Sequence, residues 1–171
     1  VRANVGDQEA RMFKLVGDIW RARPVAGKGP LQQTTALTAA QQWTLVRALH
    51  VHLGIALGAR LRGLSDITTY VLMGDGEQQE GQVWEAAMAA SFHKVGNLVG
   101  IIDRNRIQND DFVEKQMDPM PLAEKYRAFG WAVRDGLDGH DFAQIEDGLR
   151  WARDVQGQPA CVIFETTKGK R

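Results

Sequence analysis

Tyr70-Val71-Leu72-Met73-Gly74-Asp75-Gly76 and Leu98-Val99-Gly100-Ile101-Ile102-Asp103-Arg104-Asn105 are two apolar runs, each stopping at a polar turn. Each predicts a buried strand. Between them, Glu80 to Lys94 places Val83, Ala87, Ala90 and Ser91 at helical spacing among the strong helix formers Glu85, Ala86, Met88 and Ala89. The unit is strand, helix, strand. A right-handed crossover makes the two strands parallel, so the Gly74 to Gly76 and Arg104 to Gln108 turns emerge on one edge of the sheet. Ligands of open α/β sheets bind at that carboxyl edge.

Asp75 and Asn105 stand thirty positions apart, one in each turn. A hard divalent cation wants oxygen ligands; a carboxylate, an amide oxygen and a backbone carbonyl supply them, and Mg²⁺ takes further oxygens from phosphate. Gly74 and Gly76 are expected to adopt φ > 0 and to let the backbone approach a diphosphate. Taken singly, Gly-Asp-Gly is an ordinary turn and a strand-ending Asp or Asn is common turn chemistry. The conjunction of both turns, both strands and the helix points to a metal diphosphate site. A dinucleotide fingerprint fits poorly, because Gln79 stands where the third glycine belongs.

These residues resemble the transketolases, within the wider group of thiamine diphosphate enzymes. The likeness is densest over Gly74-Asp75-Gly76-Glu77, Glu80-Gly81, Glu85-Ala86, Gly96-Asn97-Leu98 and Asp103-Arg104-Asn105-Arg106-Ile107. It continues through Phe129-Gly130-Trp131, Asp138-Gly139-His140-Asp141 and Thr166-Thr167-Lys168-Gly169-Lys170, and is greatest to the amino-terminal subunit of a split transketolase. The resemblance implies Asp75 and Asn105 as side-chain ligands of Mg²⁺ (or Ca²⁺), with Ile107 contributing its backbone carbonyl. It places Gly74, Gly76 and Glu77 with them around thiamine diphosphate, Gly76 through its backbone, and Glu80 at a subunit interface. The catalytic residues are not identified by it.

The implied reaction is transfer of a two-carbon ketol unit between sugar phosphates, the cofactor supplying the covalent chemistry. The glutamate that activates the cofactor's aminopyrimidine ring belongs, in this family, to a separate subunit or pyrimidine-binding domain. An oligomer, either homo- or hetero-oligomer, follows. The α-type subunit of a thiamine-dependent 2-oxo acid dehydrogenase shares the turn and the Asn and stands as the alternative, as does a non-catalytic or truncated scaffold relative. The amino-terminal third motivates the latter: Trp43 to Gly58 lacks the family's Gly-rich helix head, and the upstream Ser-Lys-Gly-His-like segment is missing. Residues 1–171 are expected to form a single α/β domain, short at its amino-terminal part and at its carboxyl end.

Other residues read more plainly. Asp141 is the expected cap of a helix beginning at Phe142, with His140 beside it. His50 and His52 fall on different faces of one helix and His93 stands at the surface end of another. Arg104 and Arg106 could draw phosphate or simply be solvated. Trp84 and Met88, at i and i+4, suit either a helix interface or the core.

Composition excludes other classes. The 171 residues suffice for one core, and 21 basic against 21 acidic residues leave net charge +0, with no basic stripe for nucleic acid. Lone Cys161, inside an apolar run, reads as a small buried hydrophobe. No segment has the apolar length of a membrane span or signal core, so a cytoplasmic protein is expected. Further helices are predicted over Gln8 to Arg23, Thr38 to Leu61, Leu122 to Phe129 and Phe142 to Val155. The first is followed by a loop at Pro24 to Pro30, and another loop runs from Asp110-Asp111 to Pro121. Short strands follow at Trp131 to Val133 and Cys161 to Glu165. That alternation predicts a doubly wound, mainly parallel sheet with helices on both faces, and the resemblance to the transketolases implies that this is the thiamine diphosphate-binding fold.

Overall fold

Val71, Met73, Ile102 and Ile163 line one face of a four-stranded, all-parallel sheet whose strand order is β1-β2-β4-β3. The computed structural model describes residues 49–64, 66–108 and 111–170. The elements are α1 (Leu49–Leu61), β1 (Thr69–Gly74), a 3₁₀ turn (Gly76–Gln79), α2 (Gly81–Phe92), β2 (Leu98–Arg104), α3 (Val113–Met117), α4 (Leu122–Ala128), β3 (Ala132–Asp138), α5 (Phe142–Asp154) and β4 (Ala160–Glu165). Residues 49–167 fall within one compact unit, and 168–170 belong to another. The helix expected over Gln8 to Arg23, the loop after it, the front of the Thr38 to Leu61 helix and Asp110 lie outside the described residues.

Leu98 to Ile102 of β2 and Ala160 to Phe164 of β4 are buried at every position. Neighbouring strand residues point to opposite faces, so an unbroken buried run means that both faces are covered. On the first face, α1, α2 and α4 bring Leu53, Ala56, Val83, Ala87, Leu122 and Tyr126 onto Met73 and Ile102. On the second, α5 crosses so closely that a Cβ on Gly148 would stand 2.8 Å from Leu137 and 3.1 Å from Val162. The doubly wound expectation holds.

The motif helix buries Val83, Ala86, Ala87 and Ala90, close to the predicted stripe. Trp84 turns inward against Tyr126 and Phe129, with ring centroids 5.4 and 5.9 Å away, while Met88 stays 49% exposed. The two therefore do not form one face. β3 runs well past the short strand expected at Trp131 to Val133. Its polar residues Arg134, Asp135 and Asp138 give no apolar signal, but an edge strand needs cover on one side only and pairs with β4 regardless. Among the described residues, no helix is long and apolar enough to cross a membrane.

Candidate metal diphosphate site

The parallel register sets Gly74 opposite Asp103, and the Asp75 N–H donates to the Asp103 carbonyl at 3.1 Å. Adjacent strand ends thus bring the Asp75 turn and the Asn105 turn together at the carboxyl edge. The Asp75 carboxylate is only 3% exposed and accepts two backbone bonds, from Gly76 N–H at 3.0 Å and from Arg106 N–H at 2.8 Å. Burial pushes its pKa above the ordinary carboxylate value; the two N–H bonds oppose this, and neighbouring Asp103 adds to it. Among the described residues no basic side chain pairs with it. Burial without a paired cation favours the protonated form, and the nearby Arg104 charge offsets this only in part.

Asn105 is held in one orientation. Its Oδ1 accepts from the Ile107 N–H at 2.9 Å and its Nδ2 donates to Asp103 Oδ2 at 3.1 Å, so neither end of the amide can flip without opposing like groups. Asp103 is fixed in turn by the Thr166 hydroxyl from the end of β4, which donates to its other oxygen. Arg106 adopts φ +66°, folding the chain back between Asn105 and Ile107.

Ile107 forms an isolated antiparallel bridge with Phe112. The bridge's bonds run from Gln108 N–H to the Asp111 carbonyl and from Val113 N–H to the Arg106 carbonyl. Ile107 is therefore in a non-hydrogen-bonded pair: its own N–H and C=O point away from Phe112, on the side where Asn105 accepts that N–H. Arg106 N–H ties the Asn105 turn to the Asp75 carboxylate, so the two turns meet at one corner of the sheet edge.

The glycines act otherwise than expected. Neither Gly74 nor Gly76 is among the described positive-φ residues. Gly76 is needed for space: a Cβ there would lie 3.0 Å from Gln108 Oε1 and 3.1 Å from its Cβ, so a side chain would push the two turns apart. Its N–H is already engaged by Asp75. Glu77 folds back so that Oε1 accepts from the Gly74 N–H at 3.0 Å.

Arg104 and Arg106 are not simply solvated. Arg104 Nη1 donates to both oxygens of Glu165 at 2.6 and 2.7 Å, and Arg106 reaches the same carboxylate at 3.1 Å. Both arginines line a cleft with Asp75, Glu114, Asp118 and Met120. Glu80 is exposed at the start of α2, with no side-chain cap bond, clear of this corner's bonds. His140 accepts the Thr167 N–H at 2.8 Å, and Asp141 caps α5 through the Ala143 N–H at 2.9 Å, as the sequence suggests. His50 and His93 are exposed and His52 is partly so. Among the described residues no three His, Cys, Asp or Glu cluster around a metal position.

Sequence reading missed three side chains that build this corner: Asp103 and Thr166, which orient Asn105, and Gln78, buried inside the 3₁₀ turn. Only Gln78 left a local trace, as a polar residue between a strand and an amphipathic helix.

Residues 28–171 match the family model described as "Transketolase, thiamine diphosphate binding domain". The chain is 41% identical over 126 residues to an apulose-4-phosphate transketolase subunit of Phocaeicola vulgatus, covering 74% of this chain and 44% of that protein. It is 38% identical over 117 residues to a 6-deoxy-6-sulfo-D-fructose transketolase subunit of a Clostridium species, covering 68% and 42%. A crystal structure of transketolase from Campylobacter jejuni superposes with a TM-score of 0.66 at 28% identity, over 71% of this chain and 20% of that one. The chain thus spans less than half the length of these curated relatives.

Proposed function

Because this chain belongs to the transketolase family through its thiamine diphosphate binding domain, we propose that it holds the Mg²⁺-diphosphate end of the cofactor in an enzyme that moves a two-carbon ketol unit between sugar phosphates. The observation that carries this reading is Asp75: a nearly buried carboxylate with a raised pKa, bonded to the Arg106 N–H of the turn that holds Asn105 and Ile107. All three donors are oxygens, the set a hard cation takes, and a bound diphosphate completes its shell. Mg²⁺, or Ca²⁺ in its place, would be held by Asp75 Oδ, Asn105 Oδ1 and the Ile107 carbonyl. When bound, thiamine diphosphate supplies the carbon–carbon bond chemistry of ketol transfer.

This chain's own residues do the holding. Asp75 offers the one negative charge of the ligand set, and its two backbone bonds aim it. Asn105 would have to give up or share the Ile107 N–H to ligate, which its amide oxygen can do with its second lone pair. Gly76, lacking a side chain, lets Gln108 of the other turn close against it, and Glu77 steadies the Gly74 N–H behind it. Arg104, tethered to Glu165, sets a fixed positive charge at the rim.

Nothing among these residues handles the aminopyrimidine end, so a pyrimidine-binding subunit or domain completes the site, and exposed Glu80 is placed in that interface. Two of the relatives are themselves named as transketolase subunits. The relatives named above are transketolases, so the 2-oxo acid dehydrogenase reading is set aside. Titration calorimetry with thiamine diphosphate, with and without Mg²⁺, tests the proposal. Metal-dependent binding is expected; no heat at any Mg²⁺ or Ca²⁺ concentration would remove the cofactor assignment.

A further inference from the structure

Gln78 is 1% exposed and every polar group it carries is engaged. Its backbone N–H donates to the Asp75 carbonyl at 3.2 Å, and its side-chain Nε2 donates to the Gly74 carbonyl at 3.2 Å. One residue therefore grips both peptide groups that flank the Asp75 Cα. Fixing those two planes fixes the direction of the Asp75 Cα–Cβ bond, and the Gly76 and Arg106 N–H bonds then set the carboxylate at its end.

The grip is itself anchored in the core. Gln78 Oε1 accepts from the Tyr126 hydroxyl at 2.8 Å, and the Gln78 carbonyl accepts from Trp84 Nε1 at 2.8 Å. Tyr126 is fully buried, with ring centroids 5.4 Å from Trp84 and 5.2 Å from Trp131. Trp131 is pinned by its own Nε1, which donates to the Ala87 carbonyl at 2.8 Å. Tyr126 also sits in the last turn of α4, which ends in a Schellman arrangement. There, Gly130 at φ +85° donates to the Arg127 carbonyl, and Trp131 N–H donates to the Tyr126 carbonyl. A side chain held at both ends this way has one position.

The amide is the only group of that size suited to the task. Its donor must face the Gly74 carbonyl, since an oxygen there would meet an oxygen, and its acceptor then meets the Tyr126 hydroxyl. A glutamate would bring a buried charge and no donor, and a leucine would bring neither partner. Gln78 serves no other site in the described residues, and it spans the gap between the metal-facing turn and the aromatic core.

We infer that Gln78, locked by Tyr126, is the positioning residue for Asp75, preorganising the carboxylate for the cation. It touches neither metal nor cofactor. The inference rests on the cofactor reading above for its ligand, but its structural half stands without it. Residues supporting a metal ligand typically change metal affinity about 10–100-fold when removed.

The test uses the full chain as parent, Gln78→Leu, Tyr126→Phe, the double variant Gln78→Leu/Tyr126→Phe, and Leu149→Ala in α5 as a control for general destabilisation. Each is measured by calorimetric titration with Mg²⁺ and thiamine diphosphate, by urea unfolding, and by amide hydrogen exchange of the cofactor-free chain. Gln78→Leu is expected to lose both stability and about 10–100-fold in affinity. The double variant removes the hydroxyl together with its acceptor and recovers much of that stability, since losing both partners costs less than stranding one. Its affinity stays as weak as that of Gln78→Leu, because the Gly74 carbonyl is still ungripped.

Gly76 and Arg106, whose N–H groups bond the Asp75 carboxylate, exchange faster in both Gln78 variants and not in Leu149→Ala. Tyr126→Phe keeps the Gly74 contact and shows a smaller loss. Two results overturn the inference: affinity in Gln78→Leu within twofold of the parent, or affinity in the double variant that returns along with stability. If the parent itself does not bind the cofactor, the proposed function falls, and unchanged exchange at Gly76 and Arg106 in Gln78→Leu would overturn the positioning role separately.

Discussion

Replacing Asp75 by Asn changes charge with almost no change in shape, and separates what the carboxylate does for the fold from what it does for a cation. In the cofactor-free chain two effects oppose one another. An Asn can accept only one of the two N–H groups that Asp75 now accepts, and stranding the other costs about 1–3 kcal/mol. Removing the buried charge acts in the opposite sense, because the raised pKa means that the two N–H bonds do not fully offset burial. Cofactor-free stability should therefore fall by less than the about 1–3 kcal/mol that the stranded N–H alone would cost. Binding has no such cancellation. Asp75 carries the one charge in the proposed ligand set, and charge count sets cation affinity; a loss of about 100-fold, roughly 2.8 kcal/mol, is expected. With free Mg²⁺-cofactor at 100 times the parent's dissociation constant, the parent gains about 2.7 kcal/mol of stability and the Asp75→Asn variant about 0.4 kcal/mol. At urea m-values of about 1–3 kcal/mol/M, the ligand-induced shifts in midpoint differ by about 1–2 M. Urea unfolding of both proteins with and without ligand reads this directly. Equal ligand-induced shifts would refute the assignment of Asp75, and a loss above about 3 kcal/mol without ligand would show that the carboxylate is chiefly structural.

Gly148→Ala should destabilise the chain by about 1–2 kcal/mol in urea unfolding: a methyl lodged 2.8 Å from Leu137 and 3.2 Å from Phe164 overpacks the α5 contact by more than the roughly 1 kcal/mol gained in helix propensity. A stabilised variant would contradict the close crossing of α5. Asp141→Ala should lower the thermal midpoint at neutral pH. The Gln144 side chain and the Ala143 N–H hold the Asp141 pKa below its ordinary value, so its stabilisation is present above the usual carboxylate range and is lost as pH falls through the lowered pKa. The gap between the two proteins should close on acidification; a gap that persists there would mean the cap does not act through its charge. For Asp75 the sign reverses. Its raised pKa makes the cofactor-free chain lose stability as pH rises through that value, and this loss should vanish in Asp75→Asn when denaturation is followed against pH.

The carboxyl-edge corner was legible because its parts are local. Apolar runs ending in Gly-Asp-Gly and Asp-Arg-Asn state strand and turn within a few residues, and the helical stripe between them states the crossover. The α5 cap followed from Asp141 alone, and burial of Cys161 from its apolar neighbours. The length of β3 was not legible: Arg134 to Asp138 carry polar side chains, and only pairing with β4 makes them a strand. The glycines misled for a related reason. Two glycines around an Asp suggest positive φ, but the positive φ falls on Arg106, and Gly76 is required by the approach of Gln108 from the other turn.

The order of elements, their parallel sense and the pairing of Asp75 with Asn105 at one edge were determined by the sequence itself, since apolar period and turn chemistry act over a handful of neighbouring residues. The bonds that build the corner around those two side chains were decided by tertiary structure. Gln78 meets Tyr126 across 48 positions, Thr166 meets Asp103 across 63, and Glu165 meets Arg104 across 61. A hydrogen bond between groups so far apart in the chain leaves no periodicity and no local composition behind it. The Gln78–Tyr126 bond exists because the fold has already excluded water from both partners and left each the other to satisfy it.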